Sequence, residues 1–267
     1  MVKLKTNRMK HSFFNTKALL LFTFIAGVNH LTLAQQKPLQ NWNSIGLTVP
    51  TGKKVDFSFS ELASFIPVNG YSLAFAQTSA AISYDVNKLF SLKFGDVLNY
   101  IPGSTNSLRN RVFVRGSIDN KFSEILKADH SLQFEVHDKN ETRYHERIIF
   151  TNRLSLRHRF SPLNLRPSLS YSLYYNIGGK TIQYFDKVGD PTVAQTPDGF
   201  HRGRFYAMLN SKVSKHLQLN VYYMSQREFN FLTPENKKIN VYNPSTGKIS
   251  RPYDDFNALG LSFQFSL

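Results

Sequence analysis

The sequence contains no cysteine in its 267 residues. Disulfides are thereby excluded, although an exported chain is free to form them. A lipid-bearing cysteine behind a leader is excluded too, so the chain is not a lipoprotein. Beyond the first 35 residues no stretch approaches the 18 or so apolar residues that a transmembrane helix needs, which rules out a helical membrane protein. Acids are few, 18 Asp+Glu against 33 Lys+Arg, for a formal charge of +15. Apolar residues at helical spacing are hard to find as well.

The first residues have the form of an export signal. Lys3, Lys5, Arg8, Lys10 and Lys17 precede the apolar run Ala18–Val28, and Thr32-Leu-Ala34 places small residues before Gln35. About 11 apolar residues span only about 16 Å as a helix, too short for a bilayer core of about 30 Å. The expectation is therefore a signal peptide over residues 1–34, cleaved after Ala34, ahead of one domain over residues 35–267. Removing residues 1–34 takes away five basic residues and no acid, leaving a balance of +10. A basic exported protein has few nucleic-acid targets. Its expected partners are membrane lipid and, among anions, lipopolysaccharide phosphates, anionic solutes or acidic envelope proteins, unless the excess charge simply lines a polar interior.

Alternation with a period of two runs through the rest of the chain. At the end, Leu259, Leu261, Phe263, Phe265 and Leu267 share one face, and Ala258, Gly260, Ser262, Gln264 and Ser266 the other. Ser131, Gln133, Glu135 and His137 oppose Leu132, Phe134 and Val136 in the same way. Gln218, Asn220, Tyr222 and Met224 oppose Leu217, Leu219, Val221 and Tyr223. Segments of about ten alternating residues have the length of tilted membrane-crossing strands, apolar outward and polar toward a lumen. Tight turns at 51–54, 86–89, 161–164 and 214–216 alternate with long polar connections, above all 178–199 and 233–255. Short turns on one side and long loops on the other are the layout of an outer-membrane barrel. Tyr100, Tyr174, Tyr175, Tyr222 and Tyr223 lie near the strand ends, where an aromatic girdle is expected.

The expected fold is all-β, a transmembrane antiparallel up-and-down β-barrel. Eleven alternating stretches can be counted from Trp42, whereas single-chain bacterial barrels have even strand numbers. Either Trp42–Pro50 is a partial strand, or a further strand hides at Lys237–Tyr242. The expectation is ten strands, with twelve the alternative, and a lumen largely filled by side chains.

Trp42, Arg143-Tyr-His-Glu-Arg147 running into Asn152–Arg157, Gly203-Arg-Phe205 before Val213–His216, and Tyr222-Tyr-Met224 together resemble a family of uncharacterised outer-membrane barrels of Gram-negative bacteria, a domain of unknown function. The resemblance covers most of residues 35–267. It implies a barrel and an outer-membrane location, and it brings no activity or functional residues. The chain departs from the usual barrel ending at Leu267, where outer-membrane barrels carry an aromatic.

Candidate chemistry is sparse. Glu135, His137, Asp138, Glu141, His145 and Glu146, with Ser155 further along, are the nearest material for lipid cleavage or metal binding. They lack a nucleophile at a recognisable spacing, a paired-histidine motif and an acid-rich calcium loop. No catalytic, cofactor or metal site is assigned. The Gly179-Lys-Thr181 segment lacks the earlier glycine and the following helix of a phosphate loop. The more substantial candidate is an arginine ladder on the lumen face: Arg109, Arg111, Arg115, Arg143, Arg147, Arg153, Arg157 and Arg204, with Arg159, Arg166 and Arg202. Such a ladder either pairs with the few lumenal acids and fills space, which is the preferred reading, or draws anions inward. Three functions follow in order: a non-enzymatic outer-membrane barrel acting structurally or through loops 178–199 and 233–255 on envelope or surface proteins, a small anion-preferring pore, and a lipid-modifying barrel enzyme. A soluble periplasmic or secreted barrel is the remaining alternative.

Overall fold

The computed structural model describes residues 39–67, 70–104, 106–141, 143–161, 163–185, 190–196, 198–228, 240–243, 248–250 and 255–267. Residues 1–38, and with them the signal segment and its cut after Ala34, lie outside the described residues, as does most of the 233–255 connection. The strands are β1 (Gln40–Pro50), β2 (Val55–Pro67), β3 (Tyr71–Asp85), β4 (Phe90–Tyr100), β5 (Leu108–Lys121), β6 (Leu126–His137), β7 (Glu146–Leu156), β8 (Leu165–Ile177), β9 (Ile182–Phe185), β10 (Pro191–Gln195), β11 (Gly199–Lys212), β12 (Leu217–Glu228), β13 (Asn240–Asn243), β14 (Lys248–Ser250) and β15 (Phe256–Ser266).

Eleven of these strands close into one barrel in the order β1-β15-β12-β11-β8-β7-β6-β5-β4-β3-β2. The expectation of ten or twelve strands, all antiparallel, is corrected on both counts. Segment 40–50 is a full strand that pairs with β2 antiparallel from Asn41 to Pro50 and with β15 in parallel from Gln40 to Thr48. An odd number of up-and-down strands can close only if the first and last run the same way. The closure is thus the single parallel pair in an otherwise antiparallel barrel.

The connections divide by end. Those at 51–54, 86–89, 122–125, 157–164 and 213–216 all lie at one end, called here the short-turn end. Side chains set several of these turns by bonding the backbone locally, as turn residues do. Asn87 Oδ1 accepts from the Leu89 and Phe90 amides at 2.8 and 2.9 Å. Ser123 Oγ accepts from the Ile125 and Leu126 amides at 3.2 and 3.0 Å, and Ser214 Oγ from those of His216 and Leu217 at 3.2 and 3.1 Å. At 161–164, Phe160 and Leu165 exchange backbone hydrogen bonds of 2.8 and 2.9 Å across the turn, and Asn164 takes the left-handed backbone that asparagine tolerates, at φ 49°. The opposite, long-loop end carries 68–70, 101–107, 138–145 and the two long connections. Parts of the latter, expected to be polar loop, form a second, four-stranded sheet in the order β10-β9-β13-β14. The segment around Lys237–Tyr242 thus supplies part of β13, in that sheet and outside the barrel, with Lys237 to Ile239 outside the described residues.

Register fixes which side chains face inward. Trp42, Ser64 and Gly260 are level with one another across β1, β2 and β15, and the buried set Trp42, Tyr222, Met224 and Ala258 packs inside the barrel. Large apolar side chains stand exposed on the outer face of every barrel strand, among them Ile45 (52%), Phe59 (53%), Phe94 (58%) and Leu132 (56%). Glu61 and Asp96 are acids in phase with that outer set, Glu61 opposite Ile45 and Asp96 opposite Val112. Tyr100 and Tyr175 also face outward. Tyr174 and Tyr222, expected in a girdle, point inward and are buried, because they share the parity of Ser172 and Asn220 rather than that of their apolar neighbours.

Candidate functional site

The lumen has two halves of different character. Toward the long-loop end it is packed. Arg111 Nε donates to Glu135 Oε1 at 3.2 Å and its Nη2 to Gln77 Oε1 at 3.2 Å. Arg115 Nε donates to Gln133 Oε1 at 2.6 Å, and Gln133 in turn donates to Glu135 at 2.6 Å. His137 Nε2 donates to the other Glu135 oxygen at 3.2 Å. Arg147 Nε donates to Asn176 Oδ1 at 3.0 Å and lies 4.2 Å over the Tyr144 ring. Arg204 Nε donates to Gln226 Oε1 at 2.8 Å, and its guanidinium sits over Tyr174 and Trp42 at 5.2 and 5.6 Å. Arg202 pairs with Glu228 at 3.1 Å. Acids are too few for one-to-one pairing, so amide oxygens and aromatic faces take up the rest, accepting hydrogen bonds or cation–π contacts without adding charge. Below this network Trp42 meets Phe75 edge-on at 5.4 Å, and Tyr206, Met208, Phe256 and Leu62 pack around Tyr222 and Met224.

On the rim of the long-loop end, Arg109 and Arg143 converge on Glu141 at 3.2 and 2.7 Å. Burial alone would raise the Glu141 carboxyl. The Arg143 hydrogen bonds and the two cationic charges outweigh it and bring the carboxyl down from its ordinary 4.5 to about 2. Arg143 belongs to the 138–145 connection rather than to a strand face. Arg157 lies in 157–164 at the other end, where it is exposed and donates to the Ser123 carbonyl at 3.1 Å.

Toward the short-turn end the lumen opens into a cavity of about 520 Å³. Seven strands line it: β1 with Ser44, β6 with Lys127 and Asp129, β7 with Arg153 and Ser155, β8 with Arg166 and Ser168, β11 with Met208 and Asn210, β12 with Gln218, Asn220 and Tyr222, and β15 with Ser262 and Gln264. Tyr222 and Met208 join it to the packed half. Arg153 is exposed although it sits inside the barrel, so water reaches it from the short-turn end. Asp129 lies opposite Arg153 in register but is engaged by Lys127 at 2.9 Å, and Lys127 also bonds Asp119 at 2.8 Å.

The acid–histidine group noted in the sequence divides. Glu135 and His137 touch. Ser155 pairs with Lys127, ten residues along β6 from His137, which at about 3.3 Å per residue is about 30 Å away. That serine, histidine and acid therefore do not form a relay. Among the described residues no group of three or more His, Cys, Asp or Glu is placed to hold a metal ion. Sequence reasoning did not single out the aromatic plug, although a signal was present: Tyr206, Met208, Tyr222 and Met224 alternate in phase with arginine, asparagine and glutamine, which is the inward parity.

Residues 39–236, about three-quarters of the chain, match the family described as protein of unknown function (DUF2490). The chain belongs to that family. The DUF2490 match begins at Leu39, directly ahead of β1, and runs past the end of β12, so it takes in ten of the eleven barrel strands and every residue of the arginine network described above. Among curated proteins no sequence matches this chain.

Proposed function

We propose that this DUF2490 protein is an integral outer-membrane β-barrel, exported by its N-terminal segment and closed to free conduction by the packed half of its lumen. The observation that carries the reading is the inverted surface: large apolar side chains exposed on the outside of all eleven strands, around an interior of arginine, amide and hydroxyl groups. A soluble barrel of this size would leave that apolar band in water, far beyond the patches soluble monomers tolerate. Segregation of the long connections to one end is consistent with it, and those connections, carrying the second sheet, offer the surface for envelope or surface-protein partners. Membrane lipid and lipopolysaccharide would contact the apolar band. The protein is expected to resist carbonate extraction from membranes and to run at a different apparent size on gels before and after boiling. Folding in buffer without detergent, or recovery with soluble periplasmic proteins, would remove the membrane reading.

The plug favours a closed barrel over a pore. In planar bilayers the purified protein should give no stable conductance steps; reproducible anion-selective steps would replace this reading with that of a small anion-preferring pore. Catalysis on lipid is the weaker reading, since the Glu135–His137 pair has no serine of the noted group within reach. Lipid hydrolysis abolished by His137→Ala would restore it.

A further inference from the structure

We propose that the cavity in the short-turn half of the lumen is a binding site for a compact, hydroxylated anion, a phosphorylated or carboxylated sugar of one or two rings. The two halves of the lumen hold their arginines differently. In the packed half, Arg109, Arg111, Arg115, Arg147, Arg202 and Arg204 each donate to an acid or an amide. Arg153 and Arg166, both lining the cavity, make no hydrogen bond or ion pair with any described residue. The one carboxylate in the lining, Asp129, is occupied by Lys127 at 2.9 Å. Two guanidiniums thus project into a water-accessible chamber with their donor forks free, the geometry that takes a carboxylate or phosphate bidentately.

The walls around them carry neutral donors and acceptors, serine hydroxyls from four strands and the amides of Asn220, Gln218 and Gln264, which suit the hydroxyls of a sugar. Tyr222 and Met208 give the chamber an apolar inner wall. A volume of about 520 Å³ lies within the range of small-molecule sites, about 300–1,000 Å³, and is too small for a polymer or a lipid. The turns around the mouth carry Lys53, Lys54, Lys88, Arg157, Arg159 and Lys215 against Glu124, with Asp56, Asp85 and Asp119 at the adjoining strand ends, and the excess of cations raises the local concentration of anions. The site is independent of the membrane reading, since it depends on the lumen alone.

The test is calorimetry on the full chain folded in detergent at low salt, with glucose 6-phosphate, glucuronate, glucose and inorganic phosphate as probes. Glucose 6-phosphate and glucuronate should bind at least about tenfold more tightly than inorganic phosphate, and glucose should not bind. Arg153→Gln and Arg166→Gln should each weaken binding about tenfold or more with the thermal unfolding of the barrel unchanged, because neither arginine holds a structural partner. Arg153→Lys, which keeps the charge and loses the fork, should fall between. Arg157→Gln, which removes one charge from the field at the mouth and touches no part of the lining, should weaken binding by less than about threefold. The proposal is overturned if no acidic sugar binds, if inorganic phosphate binds as tightly as the sugar phosphate, or if Arg157→Gln loses as much as the two lining variants.

Discussion

At the scale of single residues, two positions decide whether the packed half of the lumen holds. Gly260 faces inward on β15, and a Cβ there would overlap the ring of Tyr222, which lies across it from β12. The glycine is needed for space, since its strand backbone is ordinary. Gly260→Ala should displace the Tyr222 ring from the Trp42–Met224 cluster and cost about 1–3 kcal/mol, the usual range for overpacking. Urea unfolding of the detergent-folded protein measures it, and a variant as stable as the parent would mean that the ring does not rest on the glycine. Glu141 works on the rim. Its carboxyl titrates at about 2 in the folded protein, below its ordinary 4.5, so the folded state binds its proton less readily than the unfolded one. The stability it contributes, on the order of 3 kcal/mol, is complete above about pH 4.5 and is lost as pH falls through about 2. Proteolytic nicking of the 138–145 connection should rise over that window in the parent. In Glu141→Gln it should be elevated already at pH 6, because Arg109 and Arg143 lose their shared anion, and it should change little on acidification. A parent whose nicking is flat between pH 4.5 and 2 would remove Glu141 from this role.

At the scale of elements, strands were the most legible feature because a half-buried strand writes its two faces directly into alternate residues. The faces of β5, β6, β7, β8, β11, β12 and β15 are all readable that way, and the inward parity of Arg111, Arg115, Arg147, Arg153 and Arg204 follows from it. Strand count was less legible. Eleven stretches can be counted in the sequence, but whether segment 40–50 completes the barrel depends on a partner more than two hundred residues away, and alternation carries no information about which edge a strand joins. Short strands β9, β10, β13 and β14 are too brief, at three to five residues, to show a period. The closure can be tested cleanly because the chain has no cysteine. In register, Asn43 lies opposite Leu261 and Leu47 opposite Phe265. Cysteine pairs at 43/261 and at 47/265 should both join under oxidant or a short thiol crosslinker. In an antiparallel pair the residue numbers of facing partners move in opposite directions, so these two pairs cannot both be adjacent. Crosslinking of one pair without the other would therefore reject the parallel closure.

At the scale of the whole molecule, the odd strand count has a consequence for topology. An even-stranded up-and-down barrel returns its last strand to the end where the first began. With eleven strands, β1 starts at the long-loop end beside Leu39, and β15 finishes at the short-turn end at Leu267. If the barrel spans a bilayer, these two positions lie on opposite faces of it, and the opening of the polar cavity shares a face with Leu267. Single cysteines at Leu39 and Leu267, again on a cysteine-free background, would report this through labelling of intact cells with a membrane-impermeant maleimide. One of the two should react and the other only after the outer membrane is permeabilised. Adding cysteine at Lys180, in the long connection after β8, sets the orientation, since it should behave as position 39 does and opposite to 267. Labelling of 39 and 267 from the same side would contradict the eleven-stranded closure inside the membrane even if the isolated barrel shows it. Opposite labelling with 267 protected in intact cells would place the cavity mouth toward the cell interior, where a ligand reaching Arg153 and Arg166 would have to come from the periplasm.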